Sequence, residues 1–178
     1  MKIIKISLIC FGLLFLIAVG FLLGSNWYYQ AQESKFYNIE LPKGHDLKKT
    51  IDFLNYAQID FLESTLKQSS NIEAIGTGYT GYDFYMWHKP TAKGEIYLKA
   101  YEVTTNTPLT QERLTEGTRN QIIDISSKYK LYKGQSTIYE GTFEKYYPAR
   151  FELWFKSSDT GLEKKITERV YLIDGWDR

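Results

Sequence analysis

Glu95-Ile96-Tyr97-Leu98-Lys99-Ala100-Tyr101-Glu102-Val103 is the stretch that decides the fold class of this chain. Ile96, Leu98 and Ala100 fall on one side, and Glu95, Tyr97, Lys99 and Tyr101 on the other. That period of two belongs to a strand with one face in a core and one toward water. Just upstream, Tyr82-Asp83-Phe84-Tyr85-Met86-Trp87-His88 has strand composition, and the segment from Lys89 to Gly94, with Pro90 inside it, supplies a turn. Together the two segments read as a hairpin.

The same reading extends outward. Ile72 to Ile75 is a short strand, followed by the glycine-rich turn Gly76-Thr77-Gly78-Tyr79-Thr80-Gly81. That run lacks the Gly-Lys-Ser/Thr ending of a phosphate loop and leads into a strand, so it reads as a tight link. Downstream come a connector from Thr104 to Gly117 with a helical turn near Gln111–Leu114, and strands at 122–126 and 137–143. Then follow Arg150 to Lys156, with Phe151, Leu153 and Phe155 inward, a hairpin loop, and Leu162 to Ile173, with Ile166, Val170 and Leu172 inward. Six or seven short strands predict a mainly β domain, an antiparallel sandwich at 72–178 with an immunoglobulin-like arrangement as its expected form. The Cys-Trp-Cys signature of immunoglobulin domains is absent. Before the strands, Leu47, Ile51, Leu54, Phe61 and Leu62 fall near helical spacing behind a capping Asp46, which predicts one amphipathic helix at 46–68.

The N-terminal region has a different character. Ile6 to Gly24 is 19 uncharged residues, nearly all apolar, preceded by Lys2 and Lys5 and followed by Trp27, Tyr28 and Tyr29. About 20 apolar helical residues span a bilayer core of ~30 Å, and interfacial aromatics flank such spans. Residues 1–32 are therefore expected to be a membrane anchor, with a signal-anchor helix at about 6–26 and Trp27, Tyr28 and Tyr29 at the membrane interface. The run is longer than the ~7–15 residues of a cleaved signal peptide. Positive flanks stay in the cytoplasm. The expected placement is thus a single pass through the cell (inner) membrane, N-terminus cytoplasmic, with an extracytoplasmic, periplasmic domain. Residues 33–45, with Pro42 and Gly44, read as a linker to a domain at 46–178.

Composition narrows function. The 146 residues after position 32 hold 20 basic residues (the chain's 22 less Lys2 and Lys5) and 21 acidic ones, about −1 in net charge, which argues against nucleic acid. The one cysteine, Cys10, lies in the apolar run, so the domain has no disulfide and no thiol nucleophile. His45 and His88 stand in no metal-ligand spacing, and no Gly-x-Ser-x-Gly elbow occurs. His88 reads as a surface or edge residue at a strand end. Asp83 with Glu95, and Glu140 with Glu152, are the carboxylate pairs a sheet could bring together for glycosidase chemistry. Neither a catalytic residue nor a metal ligand nor a cofactor is expected. What the strand alternation does point outward is aromatic: Tyr85, Trp87, Tyr97, Tyr101, Trp154 and Tyr171, with charges between them. Tyr and Trp give large contact area at low entropy cost. The sequence thus predicts a non-enzymatic binding module for another envelope protein or a polysaccharide. An immunity or inhibitor protein against an envelope-acting toxin, and an envelope carbohydrate-active enzyme, are the alternatives.

Overall fold

The computed structural model describes residues 2–37, 39–40, 47–52, 56–65, 67–77, 81–141 and 145–174. The elements in chain order are α1 (Lys2–Tyr37), β1 (Lys48–Lys49), β2 (Ile51–Asp52), α2 (Tyr56–Ser64), β3 (Asn71–Gly76), β4 (Tyr82–His88), β5 (Gly94–Glu102), α3 (Gln111–Gly117), β6 (Asn120–Ile122), β7 (Lys130–Ser136), β8 (Tyr147–Ser157) and β9 (Glu163–Ile173). The strands form two sheets, one ordered β1-β9-β8-β5-β6 and the other β2-β3-β4-β7. All pairings are antiparallel except the short parallel contacts of β1 with β9 and β2 with β3. The inward residues of both sheets make one core. Ile96, Leu98, Ala100, Phe151 and Leu153 meet Ile72, Ala74, Phe84 and Met86, with the Phe84 and Phe151 rings 5.2 Å apart. The chain is therefore mainly β, as its alternation predicts.

Connectivity differs from expectation at several points. β4 and β5 are not a hairpin: β4 pairs with β3 and β7, β5 with β6 and β8, and residues 89–93 arch from one sheet to the other. The hairpins are β3–β4, closed by the Thr77 N–H on the Gly81 carbonyl, and β8–β9. The expected strand at 122–126 is β6, ending at Ile122 because its partner β5 begins at Gly94. The strand expected at 137–143 lies earlier, as β7. This edge strand carries Lys130, Lys133 and Gln135 and little apolar surface, the composition that protects an edge. Gly134 is required there, since a Cβ would stand 2.5 Å from the Thr118 Cα.

Among the described residues of the helix predicted at 46–68, only α2 is helical. Residues 48–52 instead run parallel to both sheets in turn: Lys48 and Lys49 pair with Tyr171 and Leu172, then Ile51 and Asp52 with Ile75 and Gly76. Between them Thr50 is buried and its N–H donates to the Leu172 carbonyl at 3.4 Å. Two open sheet edges at one seam offer this segment main-chain partners, which overrides its helical spacing. The other seam is closed by α3 and β6: Thr115 Oγ1 donates to the Leu98 carbonyl and Asn120 Nδ2 to that of Lys133.

α1 contains Phe11–Tyr28, 18 residues of mean hydropathy 1.7, long and apolar enough to cross a membrane. Trp27 and Tyr28 are exposed on it. The helix also runs through 33–37, expected as linker, and near its end Phe36 is buried in the sandwich core, its ring 4.8 Å from that of Tyr147. Tyr147, the first residue of β8, is fully buried and donates its hydroxyl to the Glu140 carbonyl at 2.7 Å. The linker residues Pro42, Gly44 and His45, the helix start Asp46 and Trp176 lie outside the described residues.

At this same end Glu102 is buried but not bare. Burial raises its pKa, and hydrogen bonds from Thr105 and Thr104, through both hydroxyls and both N–H groups, more than offset it, so the carboxyl sits below its ordinary range.

Two substitutions test the joint between helix and sandwich. Phe36→Ala is expected to cost about 2–4 kcal/mol of domain stability, and Tyr147→Phe about 1–2 kcal/mol through the unpaired Glu140 carbonyl. Urea unfolding of the full chain in detergent reads both, and a change in neither would show that this end carries no packing energy.

Candidate functional site

The six outward aromatics predicted from alternation separate into three environments. Tyr97, Tyr101 and Trp154 share the outer face of the larger sheet, where Tyr97 pairs directly across from Trp154 and Tyr101 from Arg150; Tyr97 is buried among its neighbours there, and Tyr101 and Trp154 are half-buried. Tyr85 and Trp87 lie on the outer face of the other sheet. They are buried there beside Ile75, with Leu62 of α2 and Leu131 packed against them and the Lys67 ammonium 5.1 Å from the Trp87 ring. This pair is packing, not surface. Tyr171 points inward, with its hydroxyl 2.9 Å from both the Ile72 carbonyl and Glu73 Oε2. The reason is a bulge. The β9 partner shifts from Lys165 opposite Trp154 to Thr167 opposite Leu153, which leaves Ile166 as an extra residue. One extra residue reverses the faces beyond it. Tyr171 and Ile173 therefore turn in where Val170 and Leu172 were expected. Arg169, inward as well, is accommodated at the seam by Asn71, whose Oδ1 accepts from its Nε at 2.9 Å.

The outer face of the larger sheet is a lattice of alternating rings, cations and carboxylates. Lys99 Nζ lies 4.3 Å from the Trp154 ring centroid, 5.6 Å from that of Tyr97, and 2.9 Å from Glu163 Oε2. Arg119 stands 5.5 Å from the Tyr97 ring and pairs with Glu95 at 2.7 Å. Glu152 is buried at the centre. It accepts from Arg150 Nε and Trp154 Nε1 at 2.9 Å each, and from Lys165 Nζ at 3.4 Å. The Arg150 guanidinium also covers the Tyr101 ring at 5.4 Å. Burial, then the neighbouring Glu163, pushes the Tyr97 phenol well up, whereas the Lys99 ammonium and the Tyr97 hydroxyl hold Glu163 below its ordinary range. Sequence reasoning names the three rings of this face but not the cations and carboxylates that fix them. The signal was present as direct cross-strand pairs such as Lys99 with Glu152.

Nothing in this lattice converges on a reacting atom. Each carboxylate is engaged by its own donors, and the ring faces are partly covered by cations. Asp83 and Glu95 are on the outer faces of different sheets. Glu140 accepts from the Thr110 N–H and hydroxyl, far from Glu152 in the lattice. No group of three His, Cys, Asp or Glu residues that could hold a metal occurs among the described residues. The rings and charges of this face are held by one another, and preorganisation of this kind lowers the entropy cost of any association a surface makes. No family model, curated protein or solved structure matches the chain.

His88 departs from the surface reading. It is buried, its ring lies 6.0 Å from that of Phe155, and its Nδ1 has no hydrogen-bond partner. Burial pushes its pKa below the ordinary 6.5. A lowered folded-state value means that the unfolded chain takes up the proton first. Stability is then full above pH 6.5 and falls as the pH drops below it. His88→Phe should flatten urea midpoints between pH 7 and pH 5, and an unchanged slope would remove His88 as the acid-sensitive group.

Proposed function

We propose that this protein is a membrane-anchored, non-enzymatic binding module built on an immunoglobulin-like sandwich. In this reading α1 crosses the cell membrane with Lys2 and Lys5 in the cytoplasm, and the sandwich stands outside. Two features support the immunoglobulin-like form. Apart from the two-residue β1 and β2, the seven strands divide in sequence order as first, second and fifth against seventh, sixth, third and fourth. The Tyr147 hydroxyl on the Glu140 carbonyl also has the form of a tyrosine corner, at the start of the sixth of those strands. Such sandwiches host many functions, so the argument for binding rests on the surface.

The observation that carries the reading is the lattice around Trp154. Its rings are held at fixed positions, its carboxylates are occupied, and no described helix covers it, whereas α2 covers the opposite face. The partner that fits is another protein. A sugar would stack on a bare ring face, but Lys99 stands over Trp154 and Arg150 over Tyr101. A protein surface of complementary charge can meet ring edges and the paired ions together.

A photo-crosslinking residue placed at position 101, in the native membrane, should capture one dominant protein. Lys165→Glu should reduce that adduct at least about fivefold without unfolding the domain. The same probe at Phe61, exposed on the opposite face, should not capture it. Equal adducts from both positions, or none from a folded protein at 101, would contradict the reading.

A further inference from the structure

The end of the sandwich opposite α1 is a second surface, built by three loops. Residues 89–93, 123–129 and 157–162 meet there: the Ser126 N–H donates to the Pro90 carbonyl at 2.9 Å and the Ser158 N–H to the Lys93 carbonyl at 3.1 Å. α1 enters beside Tyr147, and the eleven residues of β8 separate that point from Ser157 by about 35 Å.

Three large aliphatic side chains are left in water at this end, Ile123 and Leu162 each 72% exposed and Ile125 62%. Around them Lys89, Lys93, Lys128, Lys130 and Lys164 are exposed and make no ion pair with any described residue. Along the outer faces of the two sheets, Lys99 pairs with Glu163, Arg119 with Glu95, Lys133 with Glu63, and Arg150 and Lys165 with Glu152. Unpaired positive charge and exposed aliphatic surface therefore coincide at one end.

We propose that this end docks an acidic segment of another protein, one that carries aliphatic side chains between carboxylates. The lysines supply the charge complement, and Ile123, Ile125 and Leu162 supply apolar contact that charge alone would not need. Asp124 and Asp159 lie among the aliphatics. They would be repelled by an anionic lipid surface, whereas a protein can meet them with donors of its own. The exposed large apolar side chains of these loops are aliphatic, not flat rings, which disfavours a sugar ligand. This surface is distinct from the lattice around Trp154, and the two readings stand or fall separately.

The test uses the full chain in nanodiscs of zwitterionic lipid and a fluorescent peptide alternating glutamate and leucine. Binding is expected, weakened at least about tenfold by Ile125→Ser and by the paired change Lys89→Glu with Lys128→Glu, and weakened by added salt. Trp154→Ala should leave it unchanged. Both loop changes are at exposed positions, and an unaltered urea midpoint confirms that the fold is kept. The proposal is overturned if a peptide with serine in place of leucine binds equally well, or if neither change weakens binding. It is also overturned if vesicles of anionic phosphatidylglycerol bind this end and the peptide does not compete.

Discussion

Tyr147 is the point on which three parts of the chain depend. Its ring receives Phe36 from the end of the long apolar helix. Its hydroxyl donates to the carbonyl of Glu140, which follows β7 of the other sheet, and so ties the two sheets at this end. Its backbone starts β8, the strand that pairs on both sides and carries Phe151 and Leu153 into the core. A fully buried phenol needs a partner for its hydroxyl, and this geometry supplies one from a buried corner of the backbone. Helix, corner and central strand are thus secured by one side chain.

From that joint the molecule acquires direction. The helix enters at one end, so the loops at 89–93, 123–129 and 157–162 lie at the other, and the two sheet faces lie alongside. The faces are not equivalent. On the smaller sheet Leu62 packs onto Tyr85 and Trp87 and makes a satellite core. On the larger sheet the Trp154 Nε1–H is satisfied by Glu152 of the same strand. The second arrangement fixes the rings by cross-strand partners, and no described helix covers it. The sandwich achieves this without a disulfide, closing one seam with the sheet-switching segment 48–52 and the other with α3 and β6.

Much of the fold was legible because it follows from alternation. The inward sets Ile96, Leu98, Ala100 and Phe151, Leu153 were read correctly from period two alone. Four things were not legible, each for a physical reason. The bulge at Ile166 leaves no composition signal, yet it reverses the facing of Tyr171. Residues 48–52 carry helical spacing, and only the open edges of β3 and β9, distant in sequence, make them strands. Trp87 alternates outward as a surface residue would, and its burial depends on α2 lying over it. Phe36 falls in the expected linker for the same reason: an aromatic in a polar stretch shows its partner only when the sandwich is built. Of the six aromatics, Tyr101 and Trp154 keep part of their surface in water, whereas Tyr97, Tyr85, Trp87 and Tyr171 are buried.

The central claim is that α1 and the sandwich form one rigid body, so that the surfaces are presented at a set distance and angle from the helix. Electron–electron double resonance between nitroxides at Ser34 and Thr160, both exposed, measures this most directly in the full chain reconstituted into nanodiscs. The account predicts one narrow distance distribution. A broad distribution spanning many ångströms would mean that Phe36 does not hold the joint, and would contradict it.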